Sequence, residues 1–164
     1  FSTRQKNDEG LASSLGEDVI MAEEHPAAAY VRFYEALSPA TVADLQSVVH
    51  DDVRFKDPFN EVVGLKAYTA LLNAMFRAAP DIQFEVLHTS YDGDACFLRW
   101  NSRGTVKALG KDPWVIQGMS ELRFADDGRV ISHIDYWDAA AQFYERIPVV
   151  GAIIRFIRRR VAAH

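Results

Sequence analysis

The sequence predicts a single domain of the α+β class, in which a curved antiparallel sheet wraps around three N-terminal helices and a C-terminal cationic helix follows. Two patterns support this prediction. Apolar residues recur at helical spacing in three segments between residues 26 and 80, and four strand-like segments separated by turn residues follow up to residue 137. The length of 164 residues allows one well-buried core and is short for two ordinary domains.

Two short helices are predicted before the first strand. Residues 26–37 carry apolar side chains at helical spacing, and Pro26 is suited to a first helical turn. Residues 38–49 repeat the pattern, with Ser38 or Thr41 as the expected cap.

The first strand is predicted over residues 52–58. Apolar and charged side chains alternate up to Asp57, and Pro58 must end the ladder because it has no backbone N–H to donate. Strand parity therefore puts Asp57 on the apolar face. The apolar stripe that follows Gly64 predicts a third helix ending near Pro80.

The remaining strands and the tail complete the predicted organisation. The strand segments are IQFEVLHTSY, ACFLRWNSRGTV, WVIQGMSELRF and RVISHIDYW. The tail is predicted to contain a helix, a break over residues 148–151 and a short cationic helix. We thus divide the chain into a polar leader or extension (1–25), the main domain (26–140) and a helical tail (141–164).

Charge and composition narrow the function classes. A net charge of -5 argues against a nucleic-acid binder, which needs a basic surface. No run of apolar residues is long enough for a conventional membrane span. Cys96 is the single cysteine, which excludes an internal disulfide and fits a reducing, cytoplasmic location. The cluster of His50, Asp51 and Asp52 is not expected to bind metal, since consecutive residues point apart.

Three residues are candidates for acid/base chemistry. Asp57 either lines a pocket or forms a turn before Pro58, and the sequence leaves both readings open. His133 and Asp135 are two residues apart on the last strand, so their side chains project side by side with that of Trp137. A buried carboxylate could move a proton next to a carbonyl group without a metal or organic cofactor.

The order of these motifs resembles the nuclear transport factor 2-like (NTF2-like) superfamily, particularly its SnoaL-like and ketosteroid isomerase-like members. The resemblance covers residues 26–140 and rests on HDDVRFKDP after two helices, a glycine opening the third helix, and a last strand within DDGRVISHIDYWD. It implies a cone-shaped (cystatin-like) fold around an apolar cavity, and no cofactor.

The resemblance also implies roles for individual residues. In ketosteroid isomerase-like proteins the proton shuttle falls on Asp57, whereas the two oxyanion donors fall on Phe33 and Ser120. Phenylalanine cannot donate a hydrogen bond, so a substrate other than a steroid is expected. In SnoaL-like cyclases the acid/base aspartate falls on Asp135, beside His133. The expected ligand-binding residues are Tyr30, Phe33, Tyr34, Phe55, Phe59, Tyr68, Leu72, Met75, Trp100, Trp114, Ser120 and Trp137.

Two functions therefore remain open. One is an isomerase or cyclase acting on a hydrophobic carbonyl compound, and the other is a non-catalytic ligand-binding or dimerisation module. The apolar outer face of the last strand predicts a homodimer through the sheet. Residues 149–164 carry four arginines and no acid, which is compatible with weak membrane-surface contact or with a helix that covers the cavity or a partner subunit.

Overall fold

A six-stranded mixed sheet with helices packed against it forms the fold. The structure, a computed structural model, describes residues 25–106, 110 and 112–162. All but one residue of the predicted leader (1–25) lies outside this range. In chain order the elements are α1 (Ala27–Glu35), a 3-10 helix (Val42–Ser47), β1 (Val49–Lys56), β2 (Glu61–Val63), α2 (Leu65–Ala78), β3 (Gln83–Asp92), β4 (Ala95–Gly104), β5 (Trp114–Phe124), β6 (Val130–Tyr136), α3 (Ala139–Gln142), a second 3-10 helix (Tyr144–Arg146) and α4 (Pro148–Val161).

The strand order is β2-β1-β6-β5-β4-β3. The prediction of an antiparallel sheet is wrong at one place, because β1 and β6 pair in parallel while the other neighbours are antiparallel. The chain returns to β1 only after α2 and three further strands, and β6 then enters between β1 and β5. This long-range pairing places Phe55 beside His133 and Lys56 beside Ile134.

The region before α2 differs from the prediction in one helix and in one additional strand. The second is a 3-10 helix of six residues, shorter than the segment 38–49. Thr41 makes no side-chain hydrogen bond that caps this helix; its hydroxyl accepts the Ser38 N–H at 2.9 Å and so closes the preceding turn. The strand β2 was not predicted, and it separates β1 from α2.

The core lies between the helices and one face of the sheet. It includes Tyr30 and Tyr34 of α1, Tyr68 of α2 and Trp100 of β4. Gly118 lies opposite Trp100 in the register of β4 with β5. A Cβ atom at Gly118 would overlap the Trp100 ring, so the absence of a side chain there lets the indole lie across the neighbouring strand.

The C-terminal segment forms two short helical turns and the longer helix α4. The break predicted over residues 148–151 is wrong, since α4 begins at Pro148 and continues through Gly151. Proline fits the first position of a helix because its missing N–H would have no helical acceptor there. Gly151 is buried, and a side chain at this position would overlap the carbonyl oxygen of Glu145. Within the described part of the chain, no helix is long and apolar enough to cross a membrane.

Candidate functional site

A cavity of about 420 Å³ lies between the helices and the inner face of the sheet. Its walls are mostly apolar, which is typical of a small-molecule site with few polar groups. Eleven of the fifteen residues predicted for the site line it: Asp57, Asp135, Tyr34, Phe55, Phe59, Tyr68, Leu72, Met75, Trp100, Trp114 and Trp137. Asp57, Asp135 and Trp137 also line a neighbouring open recess, so they lie where the cavity meets the surface.

His133 is the centre of a buried hydrogen-bond network behind the cavity wall. Its side chain has no exposed surface. Its Nδ1 atom lies 2.6 Å from the Tyr30 hydroxyl and 3.3 Å from the Tyr68 hydroxyl. Its Nε2 atom lies 2.8 Å from Asp135 Oδ1 and 3.1 Å from Ser120 Oγ. The network therefore joins α1, α2 and two strands of the sheet.

Ser120 connects this network to Trp100. The indole N–H of Trp100 donates to Ser120 Oγ at 2.7 Å, and the Ser120 hydroxyl donates to Asp135 Oδ1 at 2.5 Å. Because a carboxylate oxygen accepts hydrogen bonds, the bond between His133 and Asp135 needs a proton on Nε2. Nδ1 can then accept a hydrogen bond from the Tyr30 hydroxyl, so that each donor in the network has an acceptor.

Asp135 presents its two carboxylate oxygens to different surroundings. Oδ1 accepts the bonds from Ser120 and His133. No residue among those described hydrogen-bonds Oδ2. The side chain is 10% exposed and lines the cavity. One oxygen is thus held in place, while the other remains available to a ligand.

Three buried tyrosines surround the same carboxylate. Burial is the main cause that raises the pKa of Tyr30, Tyr34 and Tyr68 above the ordinary value, and the charge of Asp135 raises each of them further. The phenols therefore stay protonated at neutral pH. The hydroxyl of Tyr34 has no hydrogen-bond partner among the described residues, and Tyr34 lines the cavity. It is a candidate donor to a ligand.

Asp57 both lines the cavity and forms a turn, which were the two alternatives that the sequence left open. It lines the cavity, and its carboxylate also holds the turn that follows β1. Oδ1 accepts the backbone N–H groups of Phe59 at 2.7 Å and Asn60 at 2.6 Å, and the Asn60 side-chain amide lies 3.1 Å from both oxygens. Asp57 is therefore an Asx-turn residue at the cavity mouth.

Four predicted site residues do not line the cavity. Tyr30, Ser120 and His133 are fully buried and take part in the network, so they reach a ligand only through Asp135 or Tyr68. Phe33 lies one position from Tyr34 on α1, is not among the lining residues, and packs against the core. The cavity lining therefore does not include the predicted catalytic residue His133 or the predicted ligand-binding residues Tyr30, Phe33 and Ser120.

Several lining residues were missed. They are Leu37, Asn60, Leu71, Ala78, Ala79, Ile82, Phe84, Ser102, Val106, Ile116 and Phe143. The alternation of Ile82, Phe84 and Val86 could have indicated an inward-facing Phe84. Phe143 was assigned to the tail, and no local signal shows that it packs at 4.8 Å, between ring centroids, against Trp114.

The part of the chain that the structure describes contains neither a metal-binding cluster nor an activated cysteine. Among the described residues, no group of three His, Cys, Asp or Glu side chains is arranged to hold a metal ion. Cys96 is fully buried in β4, and burial raises the pKa of its thiol to about 12. A thiol with so high a pKa is a weak nucleophile at neutral pH.

Solved structures with this fold come from several bacteria. An NTF2-like protein of unknown function from Exiguobacterium sp. 255-15 is 21% identical, with a TM-score of 0.59 over 69% of this chain and 98% of that chain. A protein with a ketosteroid isomerase-like fold from Catenulispora acidiphila, solved with trimethylamine, is 13% identical, with a TM-score of 0.61 over 73% and 89%. An LEH-like epoxide hydrolase from M. tuberculosis is 18% identical, with a TM-score of 0.58 over 75% and 90%.

At these identities the structural likeness establishes the fold alone, and it confirms the NTF2-like fold that the motifs implied. None of the curated proteins matches the sequence. The profile of the SnoaL-like domain family matches residues 30–133, which is more than half of the chain and extends from within α1 to His133 in β6. The chain therefore belongs to the SnoaL-like domain family.

Proposed function

We propose that the protein is an acid/base isomerase or cyclase that binds a hydrophobic carbonyl compound in the cavity, with Asp135 as the proton-transferring group. One observation carries the proposal: Asp135 lines an apolar cavity with one oxygen held by Ser120 and His133 and the other without a protein partner among the described residues. Family membership is compatible with this activity, because SnoaL-like proteins include cyclases and isomerases.

The proposed reaction begins with removal of a proton from the carbon next to the carbonyl group. The proton moves to Asp135 Oδ2, and the electron pair of the broken C–H bond moves onto the carbonyl oxygen. Tyr34, protonated because burial raises its pKa, donates a hydrogen bond to that oxygen. Return of the proton from Asp135 to another carbon completes an isomerisation. In a cyclisation, the enolate carbon instead attacks a second carbonyl group of the same molecule, and the alkoxide that forms there takes the proton back from Asp135.

The buried residues act on Asp135 and not on the substrate. His133, Ser120 and Trp100 form a chain of hydrogen bonds that fixes the carboxylate in one orientation. A base that its neighbours hold in the reactive geometry does not need to reorient before it takes the proton from the substrate. His133 is thus proposed as a positioning residue, although the sequence pattern suggested a direct role.

Asp57 is the weaker candidate for the base. Its Oδ1 accepts the backbone N–H groups of Phe59 and Asn60, and its Oδ2 already accepts the Asn60 side-chain amide, so neither oxygen is without a partner. The parallel register carries Asp57 to the level of Asp135, so it still lies close enough to contact a bound ligand. We therefore propose that Asp57 shapes the cavity mouth.

The activity can be tested by proton exchange with a simple bicyclic ketone, 2-tetralone, in D₂O. We expect the wild-type protein to incorporate deuterium next to the carbonyl faster than buffer alone, as detected by NMR. Asp135→Asn should reduce the enzymatic rate by about 10²-fold or more, since a general base contributes about that much. Asp57→Asn is the matched control, because asparagine keeps an oxygen that can accept the turn bonds, and it should retain most of the rate.

A non-catalytic ligand-binding module is the second candidate. Position 33 favours it, because the phenylalanine there lacks the hydrogen-bond donor expected of a ketosteroid isomerase-like enzyme. Asp57 also favours it, because the expected carboxylate is present but holds a turn. In that case 2-tetralone would bind, as measured by quenching of tryptophan fluorescence, without any exchange above buffer. Equal exchange by the wild-type protein and Asp135→Asn would contradict the catalytic proposal.

A further inference from the structure

We infer that α4 docks the protein onto an anionic phospholipid bilayer through an apolar face that points away from the domain. The helix contains fourteen residues, Pro148–Val161. Val149, Ile153, Phe156 and Ile157 recur at the spacing of one helical face. Each is more than half exposed, at 74%, 56%, 59% and 54% respectively.

The orientation of α4 is the reverse of that expected for a helix on the surface of a globular protein, where the apolar stripe faces the core. The side of the helix that carries Arg155 and Arg158 contacts the preceding 3-10 helix. Arg155 Nη1 donates to the Glu145 carbonyl oxygen at 2.7 Å, and Arg158 Nη1 lies 2.9 Å from Glu145 Oε1. Buried Gly151 allows this close approach to the Glu145 backbone. These contacts keep the apolar side outward, so it does not cover the cavity.

The charge of α4 favours lipid over a second copy of the chain. The helix has four arginines and no acidic residue, so two α4 helices packed face to face would bring like charges together. Lipid phosphates would instead pair with Arg159 and Arg160 at its C-terminal end. The Arg160 guanidinium lies 5.0 Å from the Phe156 ring centroid, and a long side chain of this kind can extend from an apolar surface to the headgroups.

The docking face is connected to the cavity through the preceding turn. Phe143 lines the cavity and packs against Phe59, with ring centroids 4.9 Å apart. The next residues, Tyr144–Arg146, form the 3-10 helix that holds α4. Binding of α4 to a bilayer would bring this side of the cavity wall close to the lipid, where apolar molecules are concentrated. This inference concerns localisation, and it stands whether or not the protein is an enzyme.

Vesicle flotation of the full chain tests the inference. We expect binding to phosphatidylcholine vesicles that contain about 30% phosphatidylglycerol, weaker binding to pure phosphatidylcholine, and a loss of the difference near about 1 M salt. Binding should rise with lipid concentration, since a single short amphipathic helix partitions weakly. The double variant Ile153→Asp/Phe156→Asp should reduce binding by about tenfold or more, because it places charges on the apolar face.

Two controls make the outcome decisive. Leu87→Asp introduces one such charge at an apolar position on β3 that is 41% exposed, and it should leave binding nearly unchanged. Arg159→Gln/Arg160→Gln should reduce binding to the anionic vesicles more than to the neutral ones. Failure of the wild-type protein to float, or equal flotation of the Ile153→Asp/Phe156→Asp variant with unchanged near-UV circular dichroism, would overturn the inference. A halved mass of that variant in light scattering, without vesicle binding by the wild type, would identify a second copy as the partner.

Discussion

His133 Nε2 lies 2.8 Å from Asp135 Oδ1. The two residues are two positions apart in β6, so their side chains lie on the same face of the strand. The imidazole is completely buried, whereas the carboxylate reaches the cavity. A buried polar pair of this kind is stable only when its remaining atoms are hydrogen-bonded. Tyr30 and Ser120 supply these bonds, so the stability of the core and the geometry of the candidate site depend on the same contacts.

Replacement of Tyr30 should destabilise the fold. Tyr30→Phe removes the hydroxyl that lies 2.6 Å from His133 Nδ1 and leaves this nitrogen only the longer contact to Tyr68. We expect a loss of about 1–3 kcal/mol in the free energy of unfolding, as measured by urea denaturation. Tyr34→Phe is the matched control on the same helix, since its hydroxyl has no hydrogen-bond partner among the described residues. Equal losses for the two variants would contradict the network.

The turn after β1 should depend on an acceptor at position 57. Asp57→Ala removes the bonds to the backbone N–H groups of Phe59 and Asn60, and we expect a loss of about 1–2 kcal/mol in the free energy of unfolding. Asp57→Asn should lose less than half as much, because its side-chain oxygen can still accept these bonds. A stability of Asp57→Ala equal to that of the wild type would show that the turn does not need the side chain.

A methyl group at position 118 should disturb the indole of Trp100. Gly118→Ala places a Cβ atom where the Trp100 ring lies, and overpacking of this kind costs about 1–3 kcal/mol. The change should also weaken the bond from Trp100 to Ser120, which a shift in tryptophan fluorescence would report. In the Trp100→Leu background the same substitution should cost less, and this non-additivity distinguishes the ring contact from an effect on the strand.

The buried tyrosines should make the fold sensitive to alkaline pH. The pKa of Tyr30, Tyr34 and Tyr68 is raised in the folded state, whereas the phenols of the unfolded chain ionise near about pH 10. Their contribution to stability is therefore complete below about pH 10 and is lost as the pH rises above it, by about 1.4 kcal/mol per pH unit for each proton.

Urea unfolding across this pH range measures the effect. Between about pH 10 and 11, the free energy of unfolding should fall less steeply in Tyr34→Phe than in the wild type. The difference should be that of one proton, about 1.4 kcal/mol per pH unit. Cys96 adds to the same decline, since burial raises its pKa to about 12, so Cys96→Ala is a useful second background. An unchanged free energy of unfolding over this range would contradict the raised pKa values of the three tyrosines.

Exposed apolar residues on β5 and β6 offer a surface for the predicted homodimer through the sheet. Met119 and Tyr136 are neighbours in the register of β5 with β6, and both are about half exposed on the outer face. We propose that they form the centre of the contact. Met119→Asp should then halve the mass measured by light scattering at micromolar concentration, whereas Val63→Asp on the edge strand β2 should not. A wild-type protein that is already monomeric would refute the dimer.

Local sequence patterns account for much of the fold and for part of the site. Alternation along the first strand put Asp57 on the apolar face, and Asp57 lines the cavity. Alternation along the last strand put His133 and Asp135 side by side, and they lie 2.8 Å apart, because burial of one face constrains strand parity strongly. The parallel pairing of β1 with β6 was missed, since strand direction depends on the path of the chain between them. The contacts of Tyr30 with His133 were also missed, because they join residues 103 positions apart and depend on how α1 lies on the sheet.

The position of β6 between β1 and β5 has a consequence for biosynthesis. Until the ribosome has released β6, the nascent chain can form only two separate pieces of sheet, β2-β1 and β5-β4-β3. The hydroxyls of Tyr30 and Tyr68 would lack His133 at that stage, and the carboxylate of Asp135 would not yet be in place. A prematurely terminated chain therefore cannot retain a working site, and the last strand to emerge completes the sheet and the site together.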